Sequence, residues 1–255
     1  MRPTFPALYA HRLGRAYGPD SSLSALERAL SGPLDGLETD ICLTADERLV
    51  LLHDPLLELN TTARGWTHER SLAAIRAARL RDRRGMPTDQ RPLSLEEALR
   101  EIPDGVVVQL EVKAHADPVL ARRTAEVLCE ALRREPIRHR VEVLSFHSEA
   151  CAIAAARGLP TRLVIWADYA PGALAGWAVR HGLIGVSVEH FLLTESLTRV
   201  MRLAGLSVNT GTINNRELLE RVAALEPDAV CTDRPHELRA EARDMRPVGM
   251  LPIAA

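Results

Sequence analysis

The chain has 255 residues, 46% hydrophobic and 26% charged, a globular balance that excludes a disordered or fibrous protein. Thirty-two basic against 34 acidic residues leave a formal net charge of -2, without the basic excess of a nucleic-acid binder. No apolar run reaches the length of a membrane span, and Met1 to Tyr9 lack the apolar stretch of a secretory signal, so a cytoplasmic location is expected.

In chain order, apolar runs rich in Val, Ile and Leu alternate with stretches of helical period. The expected strands are Ala7–Arg12, Gly36–Thr44, Leu49–His53, Val106–Lys113, Val141–His147, Thr161–Ala167, Ile184–Glu189, Ser207–Asn214 and Asp228–Thr232. Between them, Ser21–Ser31 opens with a serine pair suited to an N-cap and sets Leu23, Leu26, Ala29 and Leu30 on one face. Helices are likewise expected at Leu93–Ile102, Asp117–Arg134, Ser148–Arg157, Gly172–His181, Thr194–Ala204 and Arg216–Leu225. Strand then helix, repeated about eight times in a chain of this length, is the arithmetic of a (β/α)8 TIM-type barrel within the α/β class. An open doubly wound sheet fits less well, because no GxGxxG follows the first strand. One domain over residues 1–255 is expected. Asp54–Pro92, dense in Arg, Thr and Pro, forms an insertion after the second strand that holds a short helix near Ser71–Arg79. The proline-containing tail after Arg243 is expected to be loosely attached.

Cys42, Cys129, Cys151 and Cys231 show neither CxxC nor zinc spacing and read as small buried residues of a reduced compartment. Lys113 is the one lysine among 32 basic residues. A chain that elsewhere uses arginine keeps there a compact, tunable ammonium, which suggests a chemical demand.

Catalytic groups of such a barrel gather where its strands end at the C-terminal side. Glu38 and Asp40 stand two apart on an expected strand, so both carboxylates share a face, and Glu111 and Lys113 repeat the geometry. Paired like charges need neutralising, either by a hard divalent cation, Mg2+ or Ca2+, or by arginines at the rim. His11 and His53 each end a strand and suit acid/base work on a phosphate ester, with Arg12 and Lys113 supplying positive charge for the phosphate. His68, His115, His139, His181 and His236 read as surface residues; His147 and His190 follow strand ends and are weaker candidates.

His11-Arg12, Pro19-Asp20-Ser21-Ser22, Glu38-Thr39-Asp40, Leu52-His53-Asp54-Pro55, Glu111-Val112-Lys113 and Thr232-Asp233-Arg234-Pro235 together resemble, in order and spacing, the signature of the glycerophosphodiester phosphodiesterase family. The similarity runs from Ala7 to Leu238. The resemblance implies a TIM-type barrel with a small insertion and hydrolysis of glycerophosphodiesters to sn-glycerol 3-phosphate and an alcohol. It implies Glu38, Asp40 and Glu111 as ligands of one divalent cation, His11 and His53 as acid and base, and Arg12 and Lys113 as holders of the phosphate of a small-molecule substrate. A lysophospholipase D-like activity, a cyclising lyase or a non-catalytic phosphodiester- or metal-binding barrel would use the same residues. Three departures stand out. Leu13 separates Arg12 from Gly14, Pro19-Asp20-Ser21-Ser22 replaces a Pro-Glu-Asn-Thr-like element, and Gly211 takes the place of a tryptophan, which should widen the pocket.

Overall fold

The computed structural model describes residues 5–133 and 140–243. The tail after Arg243, together with Arg134 and His139, lies outside them. Parallel strands β1 (Ala7–Ala10), β2 (Gly36–Leu43), β4 (Val107–Val112), β5 (Val141–Ser145), β6 (Thr161–Ile165), β7 (Gly185–Glu189), β8 (Ser207–Gly211) and β9 (Ala229–Thr232) follow one another around a closed sheet. Closure comes from β1, which pairs with β9 on one side and β2 on the other, giving the eight-stranded TIM barrel expected from the alternation. The remaining strand, β3 (Leu49–Leu51), folds back antiparallel onto β2.

Helices α1 (Leu23–Leu30), α4 (Leu95–Glu101), α5 (Pro118–Leu132), α6 (Ser148–Ala156), α7 (Pro171–Arg180), α8 (Glu195–Leu203), α9 (Arg216–Ala223) and α10 (Pro235–Ala242) lie between and after the strands. Their starts follow side chains that satisfy the free N–H groups of the first turn. Ser22, Asp117, Thr194 and Asn215 cap α1, α5, α8 and α9, and Ser94 with Glu97 forms a full capping box on α4. The apolar faces of α1, α4 and α5 pack on β1, β2 and β4 through Leu26, Leu95, Leu110 and Leu128, all nearly free of solvent. Each such side chain contributes about 1.5–3 kcal/mol by leaving water. A second cluster joins α7 to α10 with β7 to β9 around Val186, Met201, Val208 and Leu238.

The observed strands end one to three residues short of several expected ends. The first breaks at Ala10, because His11–Leu13 turn into a 3-10 helix. The helix α10 was not expected; its proline sits in the first turn, where the missing N–H costs nothing. The excursion over residues 54–92 carries α2 (Leu57–Asn60) and α3 (Leu72–Arg76), shorter than the helix expected there. Bridges Leu56–Trp66, Thr61–Leu80 and Arg81–Pro87 tie it to itself, and Leu57, Ile75 and Leu80 pack with Cys42 and Val50 as a small satellite core. Cys42, Cys129 and Cys151 are buried, as expected of them, while Cys231 is half-buried.

Candidate active site

Register brings the acidic residues together. Asp40 on β2 pairs with Glu111 on β4, and Glu38 precedes it by one full side-chain period. Carboxylate oxygens of Glu38, Asp40 and Glu111 lie within 4.8 Å of one another. Glu38 and Asp40 are 5% and 2% exposed, so water cannot screen the cluster. Burial, and then the charge of Asp40, push the Glu38 pKa up to about 7. Burial also raises that of Glu111, against the pull of Lys113. For Asp40 burial works upward too, but the charges of Lys113, His53 and Arg12 outweigh it and hold the carboxyl low.

Lys113 Nζ lies 3.1 Å from Asp40 Oδ1 and also contacts Glu111. Arginine neutralisation at the rim is only partial: Arg12 Nη1 donates to Asp20 Oδ2 at 2.6 Å, while its Nε stays 3.7 Å from Asp40 Oδ2. Asp40 Oδ2 is therefore buried without a hydrogen bond. An orphaned carboxylate oxygen beside two more carboxylates is a donor set that fits a hard divalent cation.

His11 follows β1 directly, and its Nδ1 donates to Asp233 Oδ1 at 2.7 Å. The opposite ring nitrogen is thereby aimed at the acidic cluster, with Nε2 4.0 Å from Glu38 Oε2. Burial lowers the His11 pKa, but the Asp233 hydrogen bond and the Glu38 charge outweigh it and leave it raised. Asp233 is itself fixed, since Asn214 Nδ2 and Arg83 Nη2 donate to its Oδ2 at 2.9 and 3.3 Å. His53, beyond β3, has Nδ1 3.1 Å from Asp54 Oδ1 at an angle too poor for a hydrogen bond. Its contact with Asp54 nevertheless lowers that carboxyl to about 2, and Asn60 Nδ2 holds the other Asp54 oxygen at 2.8 Å.

The extra Leu13 does not displace Arg12 from the cluster. Arg12 and Leu13 both adopt left-handed backbone (φ 49° and 61°), followed by Gly14 at 92°. Such geometry costs about 1–2 kcal/mol at each non-glycine residue. It is offset by burial of the whole Leu13 side chain and by Arg12 N–H donating to Glu38 Oε2 at 3.0 Å.

A cavity of about 500 Å3 opens beside His53 and Lys113. Its far wall is aromatic: Phe146 follows β5 and Trp166 follows β6. His115, exposed as expected, packs at a tilt against Trp66 of the excursion with ring centroids 5.6 Å apart. His147 also lines the cavity, its Nε2 2.8 Å from His115 O, whereas His190 packs edge-on against Phe191. His236, expected at the surface, is half-buried against Tyr17 and meets Ala29 O at 2.9 Å. At Gly211 a Cβ would lie 2.8 Å from Cys231 Cβ, so the space beside that glycine is filled.

All seven residues singled out from the sequence thus stand around one rim. Asp233, Asn214, Phe146 and Trp166 were given no role beforehand. Asp233 carried a signal as part of the last motif.

The model of the glycerophosphoryl diester phosphodiesterase family matches residues 11–237. The chain belongs to that family. It is accordingly an enzyme, a phosphoric diester hydrolase of a family that acts on glycerophosphodiesters. A glycerophosphodiester phosphodiesterase of Caldanaerobacter subterraneus subsp. tengcongensis is 25% identical over 233 residues, 90% of this chain and 94% of its own length. Among solved structures, an Oleispira antarctica phosphodiesterase in complex with the product sn-glycerol-3-phosphate superposes with a TM-score of 0.84 at 21% identity, covering 94% of this chain and 98% of that one. A glycerophosphodiester phosphodiesterase from Parabacteroides distasonis gives 0.78 at 21%, with the same coverage. These likenesses share the barrel. Among the described residues, no helix is long and apolar enough to cross a membrane.

Proposed function

We propose that this enzyme hydrolyses glycerophosphodiesters to sn-glycerol 3-phosphate and an alcohol, with Glu38, Asp40 and Glu111 holding one divalent cation, Mg2+ or Ca2+. The observation that carries the reading is the buried acidic cluster flanked by two histidines, each with a carboxylate behind its Nδ1. When bound, the cation withdraws charge from the phosphoryl oxygens and orients the diester. Arg12 and Lys113 bind the phosphate and stabilise the charge that grows on it. One of His11 and His53 removes a proton from the attacking water as its oxygen bonds to phosphorus. The other gives a proton to the alkoxide as the ester bond breaks. Asp233 and Asp54 stay ionised and steady the two imidazoles as they charge. The whole chain serves as one domain in the cytoplasm, its partner a small phosphodiester rather than nucleic acid.

Phosphorus NMR of glycerophosphodiester turnover, with Mg2+, with Ca2+ and with chelator, tests this. The expected result is release of glycerol phosphate that stops on chelation and resumes when the cation is restored. A cyclic phosphate would reassign the enzyme as a lyase, and turnover indifferent to chelator would remove the cation from the mechanism.

A further inference from the structure

The chain has only three Phe, three Trp and three Tyr, yet four of these nine lie exposed in the loops that follow β5, β6 and β7. Phe146, Trp166, Tyr169 and Phe191 are 38%, 64%, 47% and 70% exposed, on the rim that carries the catalytic groups. Folding alone gives no reason to leave large aromatic side chains in water there. Two of them, Phe146 and Trp166, line the cavity that also holds His53 and Lys113, with Pro55, Ala114 and Val112 completing an apolar wall. The polar side of the same rim, around Glu38, Asp40 and Glu111, suits the hydroxyl-bearing glycerol and the phosphate. The aromatic side is left for the second ester substituent.

Charge decides what kind of substituent fits. Lys113 Nζ stands 5.5 Å from the centroid of the Phe146 ring, so that ring already receives a cation and a second one there is repelled. Asp54 is the only carboxylate among the described residues lining the cavity, and it is engaged by His53 and Asn60. A quaternary ammonium on this wall would share Phe146 with the Lys113 ammonium, and the one carboxylate of the lining, Asp54, is already held by His53 and Asn60.

We infer that the Phe146–Trp166 wall is a specificity subsite for a neutral, apolar alcohol substituent and disfavours a cationic headgroup such as choline. The inference rests on the phosphodiesterase reading above and names the substrate class of the same site. Choline and a neutral substituent of the same shape bury the same alkyl surface against Trp166, so what separates them is the charge that choline would bring beside Lys113, worth roughly 10-fold in kcat/KM.

The test compares glycerophosphocholine with its neutral isostere, the glycerophosphodiester of 3,3-dimethylbutanol, and uses glycerophosphoglycerol as a small polar reference. The ammonium makes choline the more acidic alcohol and so the better leaving group. A preference for the neutral ester therefore reports recognition. The wild-type enzyme is expected to favour the neutral isostere by about 10-fold or more in kcat/KM. Trp166→Ala should bring the ratio near one, and Trp166→Phe should restore most of it. A ratio at or below one in the wild type overturns the inference, as does a ratio unmoved by Trp166→Ala, while hydrolysis itself still stands. Failure to hydrolyse all three diesters, whatever the cation, overturns the phosphodiesterase reading and this inference with it.

Discussion

His11 and His53 carry the same ring and stand beyond strands that both pair with β2, yet the protein holds them by different means. The His11 imidazole is joined to Asp233 by a 2.7 Å hydrogen bond across 222 positions of sequence. That bond exists because β1 pairs with β9 and sets Ala10 beside Thr232, one residue before each partner. The His53 carboxylate is its own neighbour in sequence, 3.1 Å away and poorly aligned, and His53 is 29% exposed where His11 is 18%. Closure of the barrel therefore fixes one proton carrier in advance. The other keeps freedom to turn and depends on the local excursion, through Asn60, for its surroundings.

The largest expected effect tests whether both rings carry protons. His11→Ala and His53→Ala should each lower kcat by about two to four orders of magnitude, the usual worth of a general acid or base. Cation binding, measured by calorimetry, should stay close to that of the parent. A loss of tenfold or less at either position would break the comparison by making that histidine a binding group. Asp40→Asn differs in kind: cation affinity falls, and part of the activity returns at high cation concentration.

An intermediate effect separates the two carboxylates. A charge-assisted hydrogen bond contributes about 1.5–3 kcal/mol, so Asp233→Asn should reduce kcat by about 10- to 100-fold. The misaligned, partly exposed His53–Asp54 pair belongs with contacts worth about 0.2–1 kcal/mol, so Asp54→Asn should cost at most about fivefold. Steady-state kinetics on one diester decide the matter. Equal losses, or a larger one at Asp54, would overturn the view that His11 is the more firmly oriented ring.

The same contrast explains what could be read beforehand. Glu38, Asp40, Glu111 and Lys113 were legible because a strand has a side-chain period of two and their chemistry is unusual for a strand interior. His11 and His53 were legible as strand ends, and continuous apolar runs such as Val106–Val108 announced a parallel sheet. The partnership of His11 with Asp233 was hidden, since nothing local links positions 222 apart. Leu13 looked like a disturbance of the first loop. Only the structure shows that a left-handed turn sends it into the core and leaves Arg12 N–H on Glu38. Trp166 and Phe146 were read as parts of the expected strands Thr161–Ala167 and Val141–His147, where an aromatic residue is ordinary, so nothing marked them as a subsite.

The smallest effect concerns stability in acid. Contact with His53 holds the Asp54 carboxyl at about 2, against an ordinary value of 3.8. A carboxyl lowered in the folded state stabilises the fold fully above its unfolded pKa and loses that contribution as pH falls through the folded one. Asp54→Asn should therefore reduce the melting temperature slightly above about pH 4, and the difference should shrink as pH falls and be lost below about pH 2. For Asp233, burial works against ionisation, but the hydrogen bond and charge of His11 hold its pKa below the usual carboxylate range. Asp233→Asn should follow the same sign with a larger gap, because its contact also retains a raised His11 pKa. The His11 part of that gap is present in full below the ordinary histidine pKa and fades as pH rises through the raised one. A gap for Asp233→Asn that closes in acid and narrows again as pH rises through the raised His11 pKa, beside one for Asp54→Asn that closes only in acid, would separate a barrel-closing ion pair from a local contact.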